Sequence, residues 1–79
     1  MALQVRLGAT LRTYVHPYDG SVGYEMVVPP GTTVRELVRR LKIPEAEVRL
    51  IFVNGVSSGW ETVLAGDERV GLFPPVGGG

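Results

Sequence analysis

Three consecutive glycines, Gly77, Gly78 and Gly79, close the 79-residue sequence, and they carry its best candidate for chemistry, an unhindered terminal carboxylate. Glycine has no Cβ, so such an end threads a channel too narrow for other residues and delivers its carboxylate into a partner enzyme's active site. Glycine is about 7% of residues in proteins generally, so a terminal triplet arises by chance on the order of three times in ten thousand. The plain alternative is a frayed terminus. Pro74 and Pro75 stand just before, and each fixes φ and removes a ladder donor, which stiffens the exit from whatever precedes them. The six residues after Phe73 span roughly 20 Å when extended, enough to reach from a docked surface into a buried site.

Other side chains offer less. His16 is the one histidine, beside Pro17 in a turn-rich stretch, with no base, nucleophile or metal-ligand pattern to match it, so it reads as a surface residue. Asp67 and Glu68 are adjacent and point to opposite faces of a strand, which makes them a poor acid/base pair, and Asp67 belongs to a turn. Ser57 and Ser58 lack a base at recognisable spacing. Gly20-Ser21-Val22-Gly23 lacks phosphate-loop spacing and precedes a strand rather than a helix. The chain has no cysteine, which excludes disulfides, thiolate metal sites and a cysteine nucleophile, and which fits a reducing cytoplasm.

Composition bounds the rest. A chain of 79 residues supports one modest core and leaves little room for an enclosed substrate pocket. Hydrophobic content of 44% with 20% charged residues is ordinary for a folded domain. Lys plus Arg and Asp plus Glu number eight each, so no global basic field exists to hold nucleic acid. Arg35, Arg39, Arg40 and Lys42 cluster locally and read as a solvated helix face. Met1 to Arg6 alternates instead of forming an apolar block, so no leader is expected there. No run approaches the roughly 20 apolar residues of a membrane span.

These candidates must be positioned by local elements. Leu3, Val5 and Leu7 alternate with Gln4 and Arg6, the pattern of a strand with one buried face. Gly8 to Gly20 reads as irregular. A second strand is expected over Val22–Val28, stopped by Pro29-Pro30-Gly31, so that the two strands form a hairpin with a long connection. Thr33 and Glu36 have capping-box spacing, and Val34, Leu37, Val38 and Leu41 form an apolar helix stripe that must stop by Lys42 or Ile43, ahead of Pro44. Val48–Val53 is the most apolar run and reads as a buried strand, followed by the tight-turn pair Asn54-Gly55. Val56–Leu64 is less regular, with Trp60 at the core rim. Gly66-Asp67 marks a turn, and Arg69–Phe73 a last strand with Val70 and Leu72 on its core face and Phe73 outward. This order predicts an α+β chain with one main helix across a mixed four- or five-stranded sheet, similar to the β-grasp fold of ubiquitin. Residues 1–73 would form one domain and 74–79 a flexible tail.

The stretch Gly66-Asp67-Glu68-Arg69-Val70-Gly71-Leu72-Phe73-Pro74-Pro75-Val76-Gly77-Gly78-Gly79 closely resembles the C-terminus of the MoaD/ThiS family of ubiquitin-like sulfur carriers. That family typically ends in Gly-Asp-x-Val, an apolar strand, Pro-Pro-Val and Gly-Gly, and Val53-Asn54-Gly55 matches its strand-to-turn signature. The Pro-Pro-Val ending is more similar to the molybdopterin synthase small subunit, MoaD, than to the thiamin carrier. Gly77 departs from the Thr, Ala or Ser often found before the final pair, which adds ordering entropy on the order of 1 kcal/mol when the tail is bound.

The resemblance implies a carrier, not an autonomous enzyme. A ubiquitin-activating-type adenylyltransferase (MoeB/ThiF-like), using ATP and magnesium, would adenylate the Gly79 carboxylate. Sulfur from a persulfide donor would then replace AMP and leave a thiocarboxylate. The charged carrier would dock on a molybdopterin synthase large subunit (MoaE-like), which builds the dithiolene of a molybdenum or tungsten pterin cofactor. Gly77 and Gly78 would thread the tail, and Phe73, Pro74, Pro75 and Val76 would dock and aim it. The chain itself would bind no cofactor or metal. Alternatives within the class send the sulfur to thiamin thiazole, an amino acid or tRNA. Outside it stand a ubiquitin-like modifier forming amide bonds to lysines and a binding module with an inert tail.

Overall fold

The computed structural model describes residues 2–15 and 23–75. Its elements in chain order are β1 (Leu3–Leu7), β2 (Tyr24–Met26), β3 (Thr32–Thr33), α1 (Val34–Arg40), β4 (Leu50–Val53), β5 (Val56–Ser57), β6 (Val63–Leu64) and β7 (Arg69–Phe73), with short 3-10 turns at Ala9–Tyr14 and Glu45–Glu47. Among the described residues the main sheet has the order β2-β1-β7-β4-β5, and β3 pairs with β6 in a two-stranded ladder. Among these described strands only β1 and β7 run parallel, so the sheet is mixed, and β7 is its centre.

Alternation explains the layering. Leu3, Val5 and Leu7 of β1 and Val70 and Leu72 of β7 point to one face and are buried. α1 lies over that face with Val34, Leu37, Val38 and Leu41 in the core, as the i, i+3, i+4, i+7 stripe requires. Thr33 and Glu36 close the expected capping box: Glu36 N–H donates to Thr33 Oγ1 at 3.2 Å, and Thr33 N–H donates to Glu36 Oε1 at 3.0 Å.

The other end of α1 is equally defined. Lys42 N–H donates to the Arg39 carbonyl at 3.1 Å and Ile43 N–H to the Val38 carbonyl at 3.3 Å, the paired bonds of a Schellman motif. Ile43 is buried beneath it. Lys42 therefore occupies the left-handed position, at φ 60°, which most helices give to glycine. A side chain there costs about 1 kcal/mol.

Three expectations change. The ladder with β1 covers only Tyr24–Met26, not Val22–Val28, because Met26 already faces Leu3, the first residue of β1, and Val27 has no strand to pair with. Val22 lies outside the described residues. Ala9–Tyr14 of the stretch expected to be irregular coils into a 3-10 turn that seats Leu11 in the core, with Val15 buried just after it. The Val48–Val53 strand begins its ladder at Leu50 and is not fully buried: Ile51 faces the core, while Leu50 is 42% exposed on the opposite face. Val56–Leu64 resolves into β5, a turn and β6, and Trp60 packs at the core edge as anticipated. Among the described residues, no helix is long and apolar enough to cross a membrane.

Candidate functional site

The candidate site is the end of β7 and the sheet face that α1 leaves uncovered. Two local devices set where β7 starts. Glu68 folds its carboxylate over the preceding turn and accepts N–H bonds from Ala65 at 2.7 Å, Gly66 at 2.9 Å and Asp67 at 3.2 Å. Partial burial pulls that carboxyl upward, and the backbone donors of Ala65, Gly66, Glu68 and Asp67 outweigh it, so the group is held below its ordinary value. Asn54 is the second device. It sits at φ 51° beside Gly55 at φ 81°, the two positive angles of a type I′ hairpin. Its Oδ1 accepts the Arg69 N–H at 2.9 Å, and its own N–H donates to the Arg69 carbonyl at 2.8 Å. Asp67 lies in the turn, and Glu68 is spent on backbone bonds, so these two residues do not form an acid/base pair.

From Arg69 onward the register lays out the uncovered face in rows. Glu25, Gln4 and Arg69 lie side by side, then Arg6, Gly71, Phe52 and Ser57, then Gly8, Phe73 and Leu50. Phe73 and Leu72 thus diverge as anticipated: Leu72 is fully buried and Phe73 is half-buried on the outer face. The Phe73 ring meets Phe52 edge-on, with centroids 5.9 Å apart and planes at 75°, a favourable aromatic geometry. Leu50, Phe52 and Phe73 form one apolar patch, with the cations Arg6 and Arg69 on its flank.

Two glycines make the seat for Phe73. A Cβ on Gly8 would stand 2.5 Å from Phe73 Cδ1 and 3.3 Å from Pro74 Cδ, and one on Gly71 would stand 3.0 Å from Phe73 Cε2. Gly8 N–H donates to the Leu72 carbonyl at 2.9 Å, and Arg49 N–H donates to the Phe73 carbonyl at 2.8 Å, so β7 is held through Leu72 on the β1 side and through Phe73 on the β4 side. Pro74 is half-buried against this seat and Pro75 is exposed. Val76, Gly77, Gly78 and Gly79 lie outside the described residues, as does His16.

Leu50, Phe52 and Gly8 were not among the residues singled out from sequence. A run apolar on both faces reads as a buried strand, and only the placement of α1 shows which face stays open. The helix cations are partly tied down: Arg35 pairs with Glu61 and with Glu45, at 3.6 Å, and lies 5.6 Å from the Trp60 ring centre. Arg39 pairs with Glu45 at 3.3 Å. A cavity of about 150 Å3 among Tyr14, Val15, Tyr24, Met26, Arg40 and Leu41 is below the size of ordinary ligand pockets and holds no acid, base or nucleophile pair.

The profile of the ThiS family matches residues 5–79. Among solved structures, a Pyrococcus furiosus protein assigned as molybdopterin converting factor subunit 1 is 27% identical, covers 96% of this chain and 99% of its own, and superposes with a TM-score of 0.69. A Haloferax volcanii protein solved in solution is 29% identical over 100% of this chain and 87% of its own, with a TM-score of 0.73. The small archaeal modifier protein 1 of Haloferax volcanii is 19% identical, covers 95% of this chain and 98% of its own, and has a TM-score of 0.71, a likeness of fold alone. No curated protein matches the chain. The β-grasp expectation is met by this architecture and these neighbours.

Proposed function

Because the chain belongs to the ThiS family, we propose that it is a sulfur carrier whose Gly79 carboxylate is the reacting group and whose uncovered sheet face docks its partners. Residues 1–73 act as the docking domain and 74–79 as the reactive tail. A ubiquitin-activating-type adenylyltransferase, with ATP and magnesium, makes the acyl adenylate. A persulfide donor then leaves a thiocarboxylate on Gly79. The acceptor is a molybdopterin synthase large subunit, a choice supported by the Pro-Pro-Val ending and the likeness to the Pyrococcus furiosus protein.

The observation that carries this reading is the exit of β7. A central strand, held through Leu72 on one side and through Phe73 on the other, ends beside an apolar aromatic patch at Pro74-Pro75, which the glycines follow in sequence. A domain built this way meets a partner through Leu50, Phe52 and Phe73 and offers its carboxylate from the edge of the same contact. Catalytic groups come from the partner, which agrees with the absence of cysteine from the sequence.

The test is a chain lacking Gly78 and Gly79. It keeps the circular-dichroism spectrum and melting temperature of the full chain and loses ATP–pyrophosphate exchange with the activating enzyme. Undiminished exchange by the truncated chain would refute the assignment of Gly79. Transfer of sulfur to a thiazole or tRNA acceptor, with none to the pterin precursor, would redirect the pathway while leaving the carrier reading intact.

A further inference from the structure

We propose that the cleft between β2 and the end of α1 docks an extended segment of a further partner protein, one that carries a large apolar side chain and, two residues from it, a carboxylate. The site is separate from the Phe52–Phe73 patch and does not depend on the carrier reading.

β2 is an edge strand. One side of it pairs with β1, and among the described residues no strand pairs with the other. A free edge presents unpaired backbone N–H and C=O groups, and proteins commonly guard such an edge with lysine or proline. Tyr24-Glu25-Met26 contains neither, and Val27 just beyond is 74% exposed. The opposite edge, β5, has only two residues. Three residues of ladder hold a guest weakly, so affinity and specificity have to come from side chains.

The register supplies the place for one. Tyr24 pairs with Val5 and Met26 with Leu3, so both lie on the helix side of the sheet with those buried residues, while Glu25 lies on the outer face. Tyr24 and Met26 are only partly buried. Beside them is the cavity of about 150 Å3, completed by Tyr14, Val15, Arg40 and Leu41. That space admits about one aromatic ring, too little for an ordinary ligand and suited to a single anchor side chain.

Charge selects the second feature. Arg40 is exposed and makes no ion pair among the described residues, whereas Arg35 and Arg39 of the same helix are held by Glu45 and Glu61. Glu36, one turn before Arg40, is engaged at the helix start, where its Oε1 accepts from Thr33 N–H at 3.0 Å and Thr33 Oγ1 at 3.1 Å. Arg40 is therefore available to a guest carboxylate. In an extended guest, residues two apart share a face, so the acid that meets Arg40 stands two positions from the anchor. Because the cleft and the Phe52–Phe73 patch lie on opposite faces of the sheet, both can be occupied at once.

The test uses the isotope-labelled full chain and an acetylated, amidated probe peptide of sequence Thr-Asp-Thr-Phe-Thr-Asp-Thr, which offers the acid on either side of the anchor. Amide shifts in an NMR titration should centre on Val15, Tyr24, Met26, Arg40 and Leu41. Replacing the peptide's Phe by Ala, or both its Asp by Asn, should weaken binding at least tenfold. Arg40→Glu should do the same, and the Asp-to-Asn change should then cost little more, since the pair is already broken. Methylating alternate peptide amides should abolish binding for one of the two sets and spare it for the other, because an edge strand uses every second N–H. Saturating peptide should leave adenylation of the chain unchanged. The proposal is overturned by absence of binding at millimolar peptide, by shifts centred on Phe52 and Phe73, by equal effects of the two methylated sets, or by undiminished binding to Arg40→Glu. Concentration-dependent shifts at β2 without peptide would assign the edge to a second copy and overturn it equally.

Discussion

Replacing Gly8 with alanine tests whether the exit of the last strand is a built seat. Gly8 has φ −87° and ψ 147°, ordinary extended backbone, so alanine meets no conformational penalty and the effect is steric. Its Cβ would lie 2.5 Å from Phe73 Cδ1, 3.3 Å from Cε1 and 3.3 Å from Pro74 Cδ, against an optimum of about 3.5–4.0 Å for carbon pairs. The first contact is short by roughly 1 Å, which the ring cannot absorb while Phe52 and Gly71 hold its other side. Overpacking costs about 1–3 kcal/mol in a closed core. Phe73 is half-exposed and can swing outward, so the loss approaches that of the edge-on aromatic pair, about 0.5–1.5 kcal/mol, partly offset by alanine's lower entropy in the unfolded chain. A net destabilisation of about 1 kcal/mol corresponds to a melting shift of about 4–8 °C for a chain of this size. Denaturant titration and thermal melts measure this. Steady-state adenylation by the activating enzyme should show an apparent KM raised several-fold with kcat nearly unchanged, since docking suffers and the carboxylate does not. In a double-mutant cycle with Phe73→Ala the steric penalty should largely vanish. An unaltered melt and KM for Gly8→Ala, or full additivity in the cycle, would refute the reasoning.

Phe52→Ala should weaken docking by about 2 kcal/mol, near a 30-fold rise in KM for both the activating enzyme and the synthase, with the fold retained by circular dichroism. Asn54→Ala removes the acceptor for the Arg69 N–H and places alanine at φ 51°; a loss of about 2 kcal/mol in denaturant unfolding is expected. Glu68 has a native carboxyl pKa below the ordinary 4.5, because donors from Ala65, Gly66, Glu68 and Asp67 overcome the upward pull of burial. A depressed carboxyl pKa stabilises the fold fully above the unfolded value, and that stability is lost as pH falls through the native one. Melts recorded from pH 7 downward should therefore decline below about 4.5, and Glu68→Gln should flatten that acid limb; an unchanged limb would exclude Glu68 as its source.

Much of the fold was legible wherever a local rule decided the outcome. Thr33 and Glu36 announce the start of α1, Pro44 limits its end, Asn54-Gly55 dictates the hairpin, and the alternation of Arg69–Phe73 separates Val70 and Leu72 from Phe73. What stayed hidden depends on partners distant in sequence. The β3–β6 ladder has two residues on each side, too few for any periodicity, and exists because Thr32 and Thr33 meet Leu64 and Val63 across the fold. β2 is short because β1 offers no residue opposite Val27. Leu50 and Phe52 could not be separated from core residues within one apolar run until α1 was seen to cover the other face. Gly8 carried no local signal, since its requirement comes from a ring sixty-five residues further along the chain. The tail was the clearest motif in the sequence, and the seat that aims it the least visible.

The central claim, that sulfur is carried on the Gly79 carboxyl, is tested most directly by intact mass. The full chain is incubated with a competent activating enzyme, magnesium ATP and a persulfide donor, and then digested. The account predicts one oxygen-to-sulfur exchange confined to the C-terminal peptide and abolished by blocking that carboxylate. An unchanged terminus in the presence of active enzyme, or sulfur on any other peptide, would contradict it.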